Sequence, residues 1–348
     1  MDAMTVGIDL AKNVIEIAIS VGEGQVAARR RLTRRQFGQF VDTLTPGIVI
    51  IMEACGSAHY WGRRCHARGA VVRLLPAQYV RPYVRRNKTD RADAEALLEA
   101  HRCGGIHAVP VKTVEQQTLQ ALHRVRQQWQ RTRTARLNSL RALLRELGVL
   151  LPVGAAGVTR HVAAHLEDGG ALPPLVHGVV RALLDDVHQV ETHLAAVDRQ
   201  LRVIVQTHPI AARLHHIAGI GPVTATALVG SVPHIAAFRR GRQFASWLGL
   251  TPREWASGDR RVYGGLSKRG DRYLRTLLIH GGRAVLRAAE VHHARHPVPR
   301  TRLEAWALEM AARRGRNRTA VALANKLARI VWAVWRHEQD FVPMPVGA

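Results

Sequence analysis

Apolar positions between residues 4 and 21, "MTVGIDLAKNVIEIAISV", partly alternate with polar ones and gather into two runs. The pattern predicts a strand, a tight turn over Asp9 to Asn13, and a second strand. "GEGQ" makes the next turn, and "VAARRRL" supplies a third strand. Thr33 stands where a helix cap is needed, ahead of Phe37, Phe40, Val41 and Leu44 at helical spacing. "GIVIIMEA" is almost wholly apolar, as a strand covered on both faces would be. "SAHYWGRRCHARG" reads as a helix stopped by Gly69, and "AVVRLLP" as a strand stopped by Pro76.

The predicted order is therefore β-β-β-α-β-α-β, followed by a helix through "NKTDRADAEALLEA". That α/β order is the layout of a ribonuclease-H-like domain, with its boundary near Pro110. Beyond it the period becomes helical. Leu119, Leu122, Val125, Trp129, Leu137, Leu140, Leu144 and Leu147 mark one long helix, and "LGVLLPVGAAG" breaks it. A second helix, from about residue 174 to 206, repeats Val180, Leu183, Val187, Val190, Leu194, Val197, Leu201 and Ile204 as a heptad seam. Such a seam needs a partner, either the earlier helix or another subunit. The chain is thus expected as residues 1–110, a helical coiled-coil spacer over 111–208, and a mostly α-helical domain over 209–348.

In that last part, "LHHIAGIGPVTATALV" resembles a helix-hairpin-helix. Its turn at Gly219 to Gly221 would offer backbone N–H groups to a phosphate, or else be an ordinary bundle turn. Charge then narrows the class. The 348 residues hold 51 Lys and Arg against 26 Asp and Glu, a net charge of +25 that calls for a polyanionic partner. Residues 239–275 carry ten basic side chains against three acidic ones, and residues 311–337 carry seven against none. Three cysteines build neither a disulfide framework nor a zinc pattern, which fits a reducing cytoplasm. No signal peptide or membrane span is expected.

Against this positive background Asp9, Glu53, Asp90 and Asp93 stand out. Asp9 follows the first apolar run, Glu53 ends the most apolar one, and Asp90 and Asp93 share a helix face. Carboxylates gathered in a basic chain suit hard divalent cations, Mg²⁺ above all. Two such ions would offset the charge of a phosphodiester under attack. Plainer roles compete. Asp9 could cap its turn, Glu53 could pair with Arg63, and Asp90 and Asp93 could begin a helix. Glu16, Glu95 and Glu99 are reserve acids. Ser257, before a glycine and among Arg253, Arg260 and Arg261, could attack phosphorus, with Ser246 and Ser267 as neighbours. Lys268, Arg269, Arg272 and Arg275 are candidate phosphate clamps, and His215 and His216 are read as surface or phosphate-contacting.

"GIDLAKN", "MEACGSAHYW", "NKTDRADAEAL", "IAGIGPVTATAL" and "GLTPREWASGDRRVYGGLSKRGDRYLRTLLIHG" together resemble the bacterial insertion-sequence transposases of the "one-ten" family, relatives of the Piv DNA invertases. The long spacer is similar to the branch with subterminal inverted repeats. The resemblance implies a RuvC-like first domain whose tetrad falls on Asp9, Glu53, Asp90 and Asp93. It also implies a catalytic serine at Ser257 of "ASG". It further implies covalent serine–DNA strand exchange, a bridge RNA that pairs with donor and target DNA, and an active site assembled across subunits of a dimer or tetramer in the bacterial nucleoid. The competing enzyme class is a junction resolvase that cuts with metal-activated water and needs no serine.

Overall fold

The structure, a computed structural model, describes residues 4–22, 25–84, 90–167 and 172–346; the side chains of Asp90 and Arg91 lie outside the description. Two compact units divide between Gln117 and Thr118. The helices expected as a spacer fall in the second unit, apart from the first turn of the first one.

The first unit opens with strands β1 (Thr5–Leu10), β2 (Val14–Ser20) and β3 (Val26–Thr33). Helix α1 (Arg34–Asp42), strand β4 (Val49–Glu53), helix α2 (Ala58–His66) and strand β5 (Val71–Leu75) follow. Helices α3 (Ala77–Val80) and α4 (Asp90–Arg102) complete it. The sheet runs β3-β2-β1-β4-β5, with β1–β2 and β2–β3 antiparallel and β1–β4 and β4–β5 parallel. The elements appear in the expected order. Thr33 caps α1 through a reciprocal capping box with Gln36. Ile50, Ile51 and Met52 of β4 are fully buried, because both faces of that strand are covered.

Period-two alternation divides the core in two. Val6, Ile8, Ile17, Ile50 and Met52 pack with Phe37 and Val41 of α1 and with Trp61 and Cys65 of α2. On the opposite face, Ala18, Ile51 and Leu75 pack with Ala94, Leu97 and Leu98 of α4.

The second unit is mainly helical. Helix α5 (Val114–Glu146) leads into it, followed by α6 (Ala155–Glu167), α7 (Pro174–Thr207), α8 (Pro209–His215), α9 (Pro222–Ser231) and α10 (Gly241–Trp247). Then come strands β6 (Pro252–Ser257) and β7 (Arg260–Leu266), and helices α11 (Arg272–Arg295), α12 (Arg302–Arg314) and α13 (Arg316–His337). The seam of α7 closes within the chain. Arg126–Asp198 at 2.6 Å, Arg133–Glu191 at 3.7 Å and Arg136–Asp186 at 2.9 Å run α5 antiparallel to α7, and Trp129 stacks on His193. Leu137, Leu140 and Leu144 of α5 share a core with Val158 and Val162 of α6 and with Val180, Leu184 and Val187 of α7. Leu184 and Val205 take the buried places expected of Leu183 and Ile204, which pack at the margin.

Helix α9 is buried from Thr224 to Ser231 and forms the centre of the C-terminal core. An apolar surface on every side requires such a place. The pair β6 and β7 interrupts a domain that is otherwise helical, as the mostly α-helical expectation has it. Two short runs flanking Gly258 and Asp259 form an antiparallel hairpin, with Ser257 paired to Arg260.

Candidate active site

Asp9 is the penultimate residue of β1 and sits inside the ladder opposite Glu16. Glu53 ends β4, whose Met52 is level with Ile8 of β1. One step further along this parallel register sets Asp9 beside Glu53. Their face follows from their neighbours. Gly7 and Asp9 share one side of β1, and Ile51 and Glu53 share one side of β4. Ile51 packs under α4, so both carboxylates lie on the α4 face.

Gly7 makes the helix approach possible. A Cβ there would lie 2.5 Å from the Ala94 carbonyl oxygen and 3.0 Å from Leu98 Cγ. Asp93 immediately precedes Ala94, so this close approach holds it near the strand position adjoining Asp9. Asp93, like Asp9 and Glu53, is half-buried. Asp90 opens α4, and its side chain lies outside the described residues. The only local signal for Gly7 is an isolated glycine inside a strand, which marks a bulge, a bend or a close backbone approach.

The Cys55 thiol reports the same clustering. Burial pushes its pKa up; backbone N–H groups of Ser57 and Ala58 oppose the rise, and the charges of Glu53 and Asp9 add to it. Both carboxylates are thus within electrostatic reach of one sulfur. The competing pairing of Glu53 with Arg63 is not the one formed. Arg63 donates to the Lys112 carbonyl at 2.8 Å and to Gln117. The reserve acids are engaged elsewhere: Glu16 with Arg31 at 3.4 Å, Glu95 with Arg29 at 2.6 Å, and Glu99 with Arg102 at 2.6 Å.

Among the described residues, no three of His, Cys, Asp and Glu already close on an ion. The donor chemistry nonetheless fits one. Asp9 and Glu53 present hard oxygen ligands at adjoining strand ends, and Asp93 and Asp90 occupy the helix over that face.

In the second unit, Ser257 lies at the tip of the β6–β7 hairpin, beside Gly258 with φ of +55°. Both strands project from the body: β6 is exposed along its length, and β7 nearly so. Ser257 and Arg260 face one side as a cross-strand pair, and Ala256 and Arg261 face the other. Arg253 is exposed on β6, and Arg261 reaches Glu254 at 3.8 Å. The neighbouring serines are placed differently. Ser246 accepts from Thr251 at 3.4 Å, and the Ser267 hydroxyl is buried without a partner.

The basic residues beyond the hairpin divide into two groups. Lys268, Arg269 and Arg272 are exposed. Arg275 instead donates to the carbonyls of Leu248 and Arg269 at 3.1 and 3.2 Å, pinning the loop to α10. Gly249 and Gly270 permit that contact, since an added Cβ at either would lie 1.9 Å from a carbonyl oxygen. Asp271 caps α11 by accepting from Tyr273 and Leu274.

The glycine turn between α8 and α9 likewise has an internal reason. Gly219, with φ of +86°, packs on α11, where a Cβ would lie 2.8 Å from the Gly281 carbonyl. His215 Nδ1 lies 3.1 Å from the Ile220 carbonyl and closes the same turn. Gly221 sits at the N-cap of α9.

The chain is similar to known proteins throughout. A DEDD-type transposase family matches residues 6–149, and the Transposase IS116/IS110/IS902 family matches residues 211–297. A probable family 20 transposase of Pseudomonas aeruginosa is 41% identical over 99% of this chain and 100% of its own length. The transposase for insertion sequence element IS1111A of Coxiella burnetii is 36% identical over 98% of this chain and 92% of its own. The transposase for insertion sequence element IS1328 of Yersinia enterocolitica is 35% identical over 94% and 96%. With both family segments in order and end-to-end similarity to such relatives, the chain belongs to the IS116/IS110/IS902 family of transposases, enzymes that cleave and transfer DNA strands.

Proposed function

We propose that this transposase exchanges DNA strands through Ser257, with Asp9, Glu53, Asp90 and Asp93 holding divalent cations in a RuvC-like first unit. The observation that carries the metal-site reading is the convergence on one sheet face. Asp9 and Glu53 adjoin in parallel register, and α4 reaches them across Gly7. Bound Mg²⁺ in a two-ion arrangement would supply Lewis-acid neutralisation of the phosphodiester charge.

The chain's own residues do the rest. Asp9 and Glu53 fix the ligand geometry from the rigid strands, and the first turn of α4 adds the aspartates. Ser257 Oγ bonds to phosphorus as one P–O ester bond of the DNA breaks. The proton lost by the serine is balanced by one gained at the departing deoxyribose oxygen, which leaves as a hydroxyl. Attack of a second strand's hydroxyl on that phosphorus breaks the bond to Ser257 Oγ, which completes the exchange and frees the serine. The number of ester bonds is conserved, so no energy-rich co-reactant is required. Arg260, Arg253 and Arg261 offset the phosphate charge at the hairpin. Lys268, Arg269 and Arg272 extend the positive surface.

A bridge RNA as guide, a dimer or tetramer that completes the site, a phosphate on the helix-hairpin-helix turn at Gly219 and Gly221, and a spacer role for residues 111–208 belong to the same reading. The family membership and the basic charge support these proposals.

The test is a denaturing gel of the reaction on duplex DNA from the element's end, with Mg²⁺ present. Wild-type protein is expected to give a protein-linked strand, and Ser257→Ala to give none while binding DNA normally. Hydrolysed ends without any protein-linked strand would replace this mechanism with metal-activated water, the junction-resolvase chemistry.

A further inference from the structure

The β6–β7 hairpin carries more than the serine. Trp255 stands two residues before Ser257, on the same side of the ribbon, and is 55% exposed. Its indole leans across the ladder. A Cβ added to Gly264 would lie 2.4 Å from Trp255 Cζ3 and 2.7 Å from Cη2. The φ of Gly264 is not in the left-handed region, so what the glycine supplies here is room for the ring in its present position. One edge of the ring is thus seated on bare backbone, while much of its surface remains open to solvent. Val262 is directly across from Trp255 on the same side of the ribbon. An ordinary apolar side chain would be expected to turn inward, but a hairpin that projects from the body offers no core to enter. An exposed aromatic platform between arginines has the chemistry that accepts a nucleobase. A two-stranded ribbon also fits a DNA major groove.

We propose that Trp255 stacks on a base of the strand being cut and thereby seats the adjoining phosphate at the hairpin tip. Gly264 acts as a positioning residue for the ring. The location of the cut rests on the Ser257 reading; the stacking itself does not. Successive same-face side chains of a strand stand about 6.6 Å apart, enough to place a stacked base and its neighbouring phosphate on Trp255 and Ser257 together. Arg260, level with Ser257, is placed to meet that phosphate.

The experiment uses the full-length protein and duplex DNA from the flank of its coding sequence, with 5-iodouracil replacing thymine. The same sequence is also made as RNA. Long-wavelength irradiation links iodouracil to a stacked aromatic ring, and mass spectrometry maps the link. Crosslinking to DNA at Trp255 is expected, about tenfold lower or less in Trp255→Ala and substantially retained in Trp255→Phe. Gly264→Ala is expected to lower it several-fold without removing the ring, and Ser257→Ala to leave it intact. A DNA crosslink elsewhere with Trp255 unlinked, or undiminished crosslinking in Trp255→Ala, overturns the proposal. So does a Trp255 link formed only with RNA. A covalent adduct that persists in Ser257→Ala overturns the nucleophile assignment instead and leaves the stacking result standing.

Discussion

The burial of Asp9, Glu53 and Asp93 is partial, which is what a carboxylate needs if it is to bind a cation reached from solvent. A fully buried acid would be neutral, and a fully exposed one would hold an ion weakly. Replacing one oxygen donor by an amide keeps the shape and removes the charge. Glu53→Gln and Asp93→Asn are therefore expected to lower Mg²⁺-dependent strand cleavage about a hundredfold or more, with duplex binding within about threefold of wild type. Paired cleavage and filter-binding assays on both variants check this. Equal loss of binding and cleavage would reassign the acids to structure. Arg275 offers a contrast at the same scale. Because its guanidinium holds two backbone carbonyls, Arg275→Ala should lower stability by about 1–3 kcal/mol through carbonyls left without a donor, measured by urea unfolding.

Two contacts between elements carry much of the architecture that matters here. The first is α4 on β1 at Gly7. An added methyl meets the Ala94 carbonyl at 2.5 Å, and backbone on both sides leaves no rotamer to yield. Gly7→Ala is expected to cost about 1–3 kcal/mol and to push α4, with Asp93, away from β1. Cleavage should fall further than the unfolding midpoint alone implies.

The second contact joins three helices at His123 of α5, whose Nδ1 is 3.1 Å from Tyr273 Oη and Nε2 3.0 Å from Thr226 Oγ1. Thr226 donates its own hydroxyl hydrogen to the Pro222 carbonyl, so it accepts from the imidazole. Burial, with nearby Arg126 adding to it and Asp198 opposing it, lowers the His123 pKa from 6.5 to about 4. The unfolded chain therefore binds a proton between these values that the folded chain refuses. Stability from this group is complete above about pH 6.5 and declines as pH falls toward about 4, by on the order of 3 kcal/mol. Thermal unfolding across that window should show the decline, and His123→Gln should flatten it.

At the scale of the whole molecule, the net charge of +25 governs encounter with DNA more than any single site does. No described helix is long and apolar enough to cross a membrane. A footprint of about six to ten phosphates would lose about 10³- to 10⁵-fold in affinity between about 50 and about 200 mM salt. Fluorescence anisotropy with a labelled duplex measures that slope. The slope should be unchanged in Glu53→Gln and reduced when Lys268, Arg269 and Arg272 are neutralised together.

Local pattern was enough for the order of the main elements in the first unit and for both long helices, and it made the four acids stand out as candidates. Strand and helix periods are written in successive residues, and a carboxylate is conspicuous in a chain so rich in arginine. The α5–α7 pairing was only half legible: the seam announced a partner without naming it, because the same apolar stripe serves a hairpin or a dimer. The β6–β7 hairpin was missed, although Gly258 and Asp259 between two short runs carry a turn signal, since neither strand shows a buried alternating face. Tertiary structure alone decided that Gly7 admits α4, that Gly264 seats Trp255, and that Arg275 and Gly219 serve packing. Each of these depends on backbone brought close by residues distant in sequence, and such distances are set only once the chain has folded.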